Sequence, residues 1–548
     1  MFEATADTVV AVAHAVGDKR QRPAGATRLD DAKFFNHVDA HAGEYVARLA
    51  EFVAIPSVSA EPERRGDVER AVLWYQACCD RLGATTTLER VGTQTLQDGT
   101  ALPLPPVLLA SWGDPAAEPD KPTLVVYGHL DVQPAAKEDG WNTEPFELTE
   151  VDGRLHGRGA SDDKGPALAW LWAVEAYRAL GVPLPVHLRC VFEGMEESGS
   201  LGLPDLVRRL GAPGGHLDPL LCEYVCISDN YYVGSKPCLT HGLRGNVYFF
   251  LEVKCSERDM HSGVIGGSVH EAMTDLVKML ATLVDCSGKI TIAGIEEQVA
   301  PLAPGELEGI EGLDFDEEAY KTETGVASVS NTLLHEGKVN VLTHRWRYPT
   351  LSIHGVQGAF HGPGSKTVIP GCVTGKFSLR LVPDMHPEKV EAMVRSHVAA
   401  EWAKLGSPNQ MRLSVEKASF PWHRQPDAPN FAAAAAATRR VHGVDPKYTR
   451  EGGSIPITQV FEDVCDACCV LLPIGASDDG AHSQNEKIDR GNYLAGIKTL
   501  GCYMDELADL PKRAAAATGE DEGRQWRRRC RKDLTRFGCE CLECADER

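Results

Sequence analysis

No segment of the sequence is apolar for long enough to cross a bilayer, so we expect no membrane-spanning helix. Basic residues are also scarce, because 56 Lys and Arg stand against 78 Asp and Glu, which gives a net charge of −22. A field of that sign repels nucleic acid and anionic lipid, so we expect neither as a main partner. The chain of 548 residues is longer than one hydrophobic core normally requires, and we expect two or more domains.

A basic leader is also missing from the start of the chain, where Glu3 and Asp7 precede a short apolar run from Val9 to Val16. This composition does not fit a secretory signal peptide. The 17 cysteines are scattered and do not form the compact framework of a disulfide-rich domain. We therefore expect reduced thiols and a cytoplasmic location.

The pattern of apolar runs predicts an α/β fold. Residues 123–128 ("TLVVYG") and 185–194 ("PVHLRCVFEG") are typical of strands, and residues 165–181 between them are apolar on nearly every side, as in a buried helix. Strand, helix and strand in this order predict a parallel sheet flanked by helices. From Gly242 onward, alternating strands and helical stretches predict a second, α+β domain inserted into the first.

These patterns predict how the chain is divided. Residues 39–241 and 419–510 are expected to form the main α/β domain, interrupted by the inserted domain at residues 242–418. Residues 1–38 are expected to be an N-terminal extension, and residues 511–548 a C-terminal tail.

Acidic and imidazole side chains follow apolar runs at several places. They are His129 and Asp131 in "GHLDV", Asp162 and Asp163 in "GRGASDDKGP", Glu196 and Glu197 in "EGMEESGS", Asp229 in "ISDN", and His482 in "GAHSQNEK". The carboxyl ends of parallel strands meet at one sheet edge, where ligands bind. One such residue is more often structural, but clustered carboxylates would destabilise a domain unless a cation neutralised them. Imidazole and carboxylate ligands without cysteine suit zinc, manganese or cobalt.

In this order and spacing, the motifs resemble the dinuclear metallopeptidases of the aminoacylase and carnosinase family. The likeness covers about residues 39–508 and is strongest to the dipeptidases of that family. It implies an α/β catalytic domain interrupted by an α+β lid and dimerisation domain. It also implies two divalent metal ions per subunit, zinc or manganese.

The resemblance also implies a role for each motif residue. The metal ligands would be His129, Asp162, Glu197, Asp229 and His482. Asp162 would bridge the two ions, and it is preferred to Asp163 because it stands ahead of "DKG" in the bridging position. Asp131 would orient the ring of His129, and Glu196 would be the general base. The two adjacent glutamates would then have different roles, since Glu197 would bind metal and Glu196 would accept a proton.

Substrate contacts follow from the same resemblance. They would be Glu196, His261, Thr367, Arg380, Ser454 and His482, with His261 reaching the active site of the second subunit of a homodimer. Arg380 also lies in the middle of a predicted strand, where its guanidinium needs a carboxylate partner. From the residues alone, a substrate carboxylate and an internal salt bridge remain equally open for Arg380.

The resemblance implies hydrolysis of dipeptides that have a free C-terminus, with broad specificity that can include Cys-Gly. The alternative is an N-acyl amino acid hydrolase of the aminoacylase type, which needs the same metals and a similar carboxylate site. A catalytically silent relative that only binds a ligand is disfavoured, because such proteins usually lose the base or a ligand and every expected position is filled here.

Overall fold

In a computed structural model of the chain, residues 28–96, 98–329 and 337–511 are described. The predictions for residues 1–27 and for the tail beyond residue 511 lie outside this part of the chain. The helices are α1 (Asp31–Ala40), α2 (Ala42–Val53), α3 (Arg65–Arg81), α4 (Lys164–Ala179), α5 (Leu203–Leu210), α6 (Ser262–Ile265), α7 (Ala272–Leu280), α8 (Glu306–Glu311), α9 (Glu317–Thr324), α10 (Gly337–Trp346), α11 (Pro387–Leu405), α12 (Pro429–His442), α13 (Ile457–Cys465) and α14 (Arg490–Leu507).

Two larger sheets and several short strand pairs connect these helices. The strands are β1 (Thr85–Glu89), β2 (Thr93–Thr95), β3 (Ala101–Pro103), β4 (Val107–Trp112), β5 (Thr123–His129), β6 (Thr149–Val151), β7 (Arg154–His156), β8 (His187–Glu193), β9 (Tyr224–Ile227), β10 (Cys238–Leu243), β11 (Gly245–Lys254), β12 (Met260–His261), β13 (Thr350–Gln357), β14 (Val368–Ile369), β15 (Cys372–Leu381), β16 (Gln410–Ser419), β17 (Trp422–His423), β18 (Lys447–Glu451), β19 (Cys468–Leu471) and β20 (Lys487–Asp489).

The main sheet has the strand order β1-β4-β8-β5-β9-β19-β10-β17, and β18 pairs with β10. Its central strands β8, β5, β9 and β19 are parallel, as the strand–helix–strand pattern predicts. The outer pairs β1–β4, β4–β8 and β10–β19 are antiparallel. The predicted α/β class is confirmed, but the sheet as a whole is mixed.

Helix α4 joins the β5 region to β8 and lies in the interior of the main domain. Its residues are buried along almost the whole length, with Glu175 partly exposed. The helix is covered on several sides because it packs against β5, α2 and α14. Pro166 is tolerated near the helix start, where a missing backbone N–H removes no intrahelical hydrogen bond.

The inserted domain contains the antiparallel sheet β13-β15-β11-β16, which is packed against α7 and α11. Residues of β11 alternate strictly between buried and half-buried, so Val247, Phe249 and Leu251 point into a core separate from that of the main domain. The chain enters this sheet at Arg244, between β10 and β11, and returns to the main sheet between β16 and β17.

The first described helix, α1, packs against the main domain. Phe34 and Val38 are buried, and the ring of Phe34 lies 5.4 Å from that of Tyr177 in α4. The limit expected between extension and main domain, at residues 38 and 39, therefore falls inside a packed helix. Among the described helices, none has both the length and the apolar character needed to cross a membrane.

Candidate metal centre

The candidate metal ligands converge at the carboxyl ends of the central parallel strands. His129 is the last residue of β5, Glu197 follows β8, and Asp229 follows β9. His482 lies in the loop between β19 and β20, and Asp162 lies just ahead of α4. Because β8, β5, β9 and β19 are neighbours with the same direction, residues far apart in sequence meet at one edge.

Two groups of potential ligands form there and share one residue. His129, Asp162 and Asp229 each offer a donor atom within 4.8 Å of the others, and so do Asp162, Glu197 and His482. Asp162 Oδ1 lies 3.0 Å from His129 Nε2, and Asp162 Oδ2 lies 3.0 Å from His482 Nε2. The His482 Nε2 atom is also 3.1 Å from Glu197 Oε2. The carboxylate of Asp162 therefore faces both groups, which is the arrangement that a bridging ligand needs.

Burial and mutual repulsion control the protonation of the centre. Burial raises the pKa of Glu196 well above its usual value, and burial together with the charge of Asp162 raises the pKa of Glu197. Hydrogen bonds to Asp162 and Glu197 raise the pKa of His482 to about 11. Burial opposes charge on His129, but its carboxylate partners outweigh that effect and its pKa is also raised. The centre thus holds more carboxylates than its two imidazoles can neutralise.

A second acidic cluster differs from the candidate centre because a lysine lies among its carboxylates. Asp478, Asp479 and Asp489 surround the Lys487 Nζ atom at 2.7, 2.7 and 3.1 Å. At the candidate centre, by contrast, no Lys or Arg of the described chain lies within 4.0 Å of the ligand carboxylates or of Glu196. Buried carboxylates beside a buried imidazole, His129, and an exposed one, His482, with no Lys or Arg partner fit a divalent cation such as zinc or manganese.

Glu196 and Asp131 lie beside the ligands. Glu196 begins the short 3₁₀ helix Glu196–Ser198 that follows β8. The Asp131 carboxylate accepts the backbone N–H groups of Glu196 at 3.2 Å and Glu197 at 3.1 Å, so it fixes the turn that presents both glutamates. His129 Nδ1 lies 3.1 Å from the Asp131 backbone oxygen and 3.5 Å from its carboxylate. Asp131 therefore contacts both the ligand ring and the glutamate pair.

Glu486 is a part of the centre that the sequence motifs did not indicate. Its buried carboxylate accepts the backbone N–H groups of Gly159 and Asp162 at 3.1 Å and of Ser161 at 3.0 Å. It also pairs with Arg158 Nη1 at 2.7 Å. Glu486 thus ties the loop that presents Asp162 to the segment that carries His482. The signal available in the sequence was only its position within "HSQNEK".

We expect Glu486→Ala to destabilise the protein by about 3–5 kcal/mol, because it leaves the buried Arg158 guanidinium without its partner. Urea unfolding of the chelator-treated protein measures the loss of folding free energy. The matched control is Glu150→Ala, which removes an exposed partner of Arg490 and should cost no more than about 1 kcal/mol. Equal losses in the two variants would contradict an anchoring role for Glu486.

Of the expected substrate residues, Glu196 and His482 lie at the candidate centre, and the other four fall into two separate places. Arg380 Nη1 donates a hydrogen bond to Ser454 Oγ at 2.8 Å, where the two sheets adjoin. His261 in β12 and Thr367 beside β14 are neighbours, since Thr367 O accepts a hydrogen bond from the N–H of Ser262. Both are exposed, and within the described residues no hydrogen bond or ion pair connects them with the ligand groups.

Comparison with known proteins gives consistent matches. The protein-family model described as peptidase family M20/M25/M40 matches residues 125–506. The chain is 46% identical over 483 residues to Beta-Ala-His dipeptidase of Rattus norvegicus, covering 87% of this chain and 96% of the relative. It is 45% identical over 480 residues to the Cys-Gly metallodipeptidase dug1 of Schizosaccharomyces pombe, covering 87% and 98%. The crystal structure of human carnosine dipeptidase 1 superposes with a TM-score of 0.81 at 44% identity, covering 88% of this chain and all (100%) of that chain.

Proposed function

Because the chain belongs to peptidase family M20/M25/M40, we propose that it is a dipeptidase that uses two divalent metal ions to hydrolyse dipeptides with a free C-terminus. The observation that carries the proposal is the pair of ligand groups that share Asp162. Relatives named for Beta-Ala-His and Cys-Gly hydrolysis support a dipeptide substrate, and we include Cys-Gly among those accepted.

The residues of the centre divide into metal ligands and a proton carrier. His129, Asp162 and Asp229 would hold one ion, and Asp162, Glu197 and His482 the other. When bound, such ions polarise the scissile carbonyl and acidify water. Glu196 would accept the proton of the attacking water and deliver it to the leaving amine. Burial raises the pKa of Glu196, and a carboxyl group with a raised pKa holds a proton more readily before it returns it to the leaving amine.

The C-terminal carboxylate of the substrate would bind to Arg380 and Ser454. Their hydrogen bond pre-orients the guanidinium, and a planar fork of donors suits a carboxylate. Fixing that end of the substrate places the peptide bond relative to Glu196 and the ions. Glu196 and His482 would also contact the substrate at the scissile bond.

We propose that the enzyme is a homodimer in which His261 and Thr367 serve the active site of the second copy. Their exposure on the inserted domain, away from the ligand groups of the same chain, supports this arrangement. His261 would donate a hydrogen bond to the oxyanion that forms during attack. Every cysteine in the described residues is free, which supports a reducing, cytoplasmic location.

Chelation should abolish activity on Cys-Gly and β-Ala-His, and adding back zinc or manganese should restore it, because the carboxylates need cations to position water and substrate. Release of free amino acids measures turnover for each metal. The same enzyme should leave N-acetyl amino acids almost uncleaved. Rapid hydrolysis of those compounds without activity on dipeptides would instead establish the N-acyl amino acid hydrolase, and full activity after verified metal removal would contradict metal-dependent catalysis.

A further inference from the structure

Arg244 is the single residue between β10 of the main sheet and β11 of the inserted domain. It is tied to the loop that follows β18 by three hydrogen bonds. Its backbone N–H donates to Gly453 O at 3.0 Å, its Nε donates to Gly452 O at 2.9 Å, and its backbone oxygen accepts from Ser454 Oγ. The position of the Arg244 guanidinium is therefore set by the crossing between the two domains.

The guanidinium of Arg244 is directed to the same place as that of Arg380. Arg244 Nη1 donates to Thr350 Oγ1 at 3.0 Å, and Thr350 is the register partner of Arg380 across β13 and β15. Ser454 connects the two arginines from the other side, since its hydroxyl accepts from Arg380 and donates to the Arg244 backbone. Two cationic side chains thus lie around one serine.

Neither arginine has an anionic partner among the described residues. Across the described residues, no carboxylate lies within 4.0 Å of the Arg244 or Arg380 guanidinium. The nearby Glu451 carboxylate accepts the backbone N–H groups of Gly452 and Gly453. Two buried arginines elsewhere in the described chain do have a carboxylate partner, since Arg158 lies 2.7 Å from Glu486 and Arg347 lies 2.9 Å from Glu306. Half-buried guanidinium groups that lie close together without a carboxylate favour binding of an anion.

The charge on Arg244 persists despite its surroundings. Burial and then the charge of Arg380 lower the pKa of Arg244 to about 9, so the group remains cationic at neutral pH. Burial also lowers the pKa of Arg380. An incoming carboxylate would relieve the repulsion between the two cations.

We propose that Arg244 is a specificity-determining residue that binds the C-terminal carboxylate of the dipeptide together with Arg380. This inference rests on the proposed dipeptidase function. A carboxylate has acceptor sites for two guanidinium groups, whereas a terminal amide presents an NH₂ donor to one of them and carries no charge. The pair therefore selects substrates with a free carboxylate on the residue after the scissile bond.

The test compares kcat/KM for a dipeptide and for its C-terminal amide. With Arg244→Gln, we expect kcat/KM for the free acid to fall about 10- to 100-fold, mainly through KM, because charged hydrogen bonds are lost. The amide should change by less than about threefold, since it does not use that charge. Arg244→Lys keeps the charge without the fork and should fall in between. The control Arg209→Gln alters an exposed partner of Glu89 and should leave both substrates unchanged.

Thermal unfolding and circular dichroism identify a variant that fails to fold. If Arg244→Gln fails to fold, Thr350→Val tests the same inference, because it removes the acceptor of Arg244 Nη1 and leaves the charges of Arg244 and Arg380 in place. It should lower kcat/KM for the acid by about threefold or more and spare the amide. Equal losses for acid and amide in the folded variants would overturn the inference and leave the dipeptidase function standing. A wild-type enzyme that cleaves no dipeptide would overturn both.

Discussion

Glu196→Gln is expected to lower kcat on Cys-Gly about 10²- to 10⁴-fold, the range typical of losing a general acid–base group. The substitution keeps the size of the side chain and removes its ability to take a proton. It should not unfold the protein, because burial already favours the neutral form of Glu196 in the metal-free centre. Steady-state kinetics and elemental analysis of the same sample give turnover and bound metal together.

The neighbouring glutamate provides the matched control. Glu197→Gln alters one of the donors that lie within 4.8 Å of Asp162 and His482, so metal content should fall along with turnover. The two variants carry the same chemical change at adjacent positions, but only one should lose metal. Wild-type turnover in Glu196→Gln would rule out this glutamate as the base. Loss of metal in both variants would contradict the proposal that Glu197 binds metal and Glu196 does not.

The sequence was sufficient to predict the central strands of the fold and the sheet edge at which the candidate metal ligands meet. Apolar runs indicated β5 and β8, and a histidine or a pair of glutamates stands at or just after the end of each strand. The convergence of these side chains at one sheet edge could therefore be inferred. The antiparallel direction of β4 could not be inferred, because local periodicity does not record which strand will be the neighbour. The burial of Phe34 in α1 was missed for a similar reason, since it depends on the distant Tyr177.

Residues that act through buried hydrogen bonds were the hardest to predict. Glu486 and Arg244 are single charged residues outside the metal-ligand pattern, and an isolated charge in a sequence is most often on the surface. Each side chain bonds to a group more than 200 residues away in the sequence: Glu486 accepts from the Arg158 guanidinium, and Arg244 donates to the Gly452 backbone oxygen. The same limit applies to His261, whose expected partner is another copy of the chain.

Asp162→Asn is expected to reduce both metal content and turnover, and to do so by more than the roughly 10- to 100-fold typical of residues that only support a ligand. Its two oxygens face His129 and His482 at 3.0 Å, so one substitution disturbs both ligand groups. Hydrogen bonds from both histidines lower the pKa of Asp162 despite its burial, which shows that this position favours a charged carboxylate. Metal titration followed by activity measurement at saturating zinc or manganese separates weak binding from defective catalysis.

Asp163→Asn is the matched control for the assignment of the bridging residue. Asp163 Oδ2 accepts the backbone N–H of His129 at 3.0 Å, and an asparagine oxygen can make the same hydrogen bond. Burial and the charge of Asp229 raise the pKa of Asp163, so the charged form is disfavoured there and a neutral amide is a close substitute. We therefore expect Asp163→Asn to retain its metal and to lose at most about 100-fold in turnover. If Asp163→Asn lost its metal while Asp162→Asn kept it, the second aspartate of "SDDKG" would be the shared ligand.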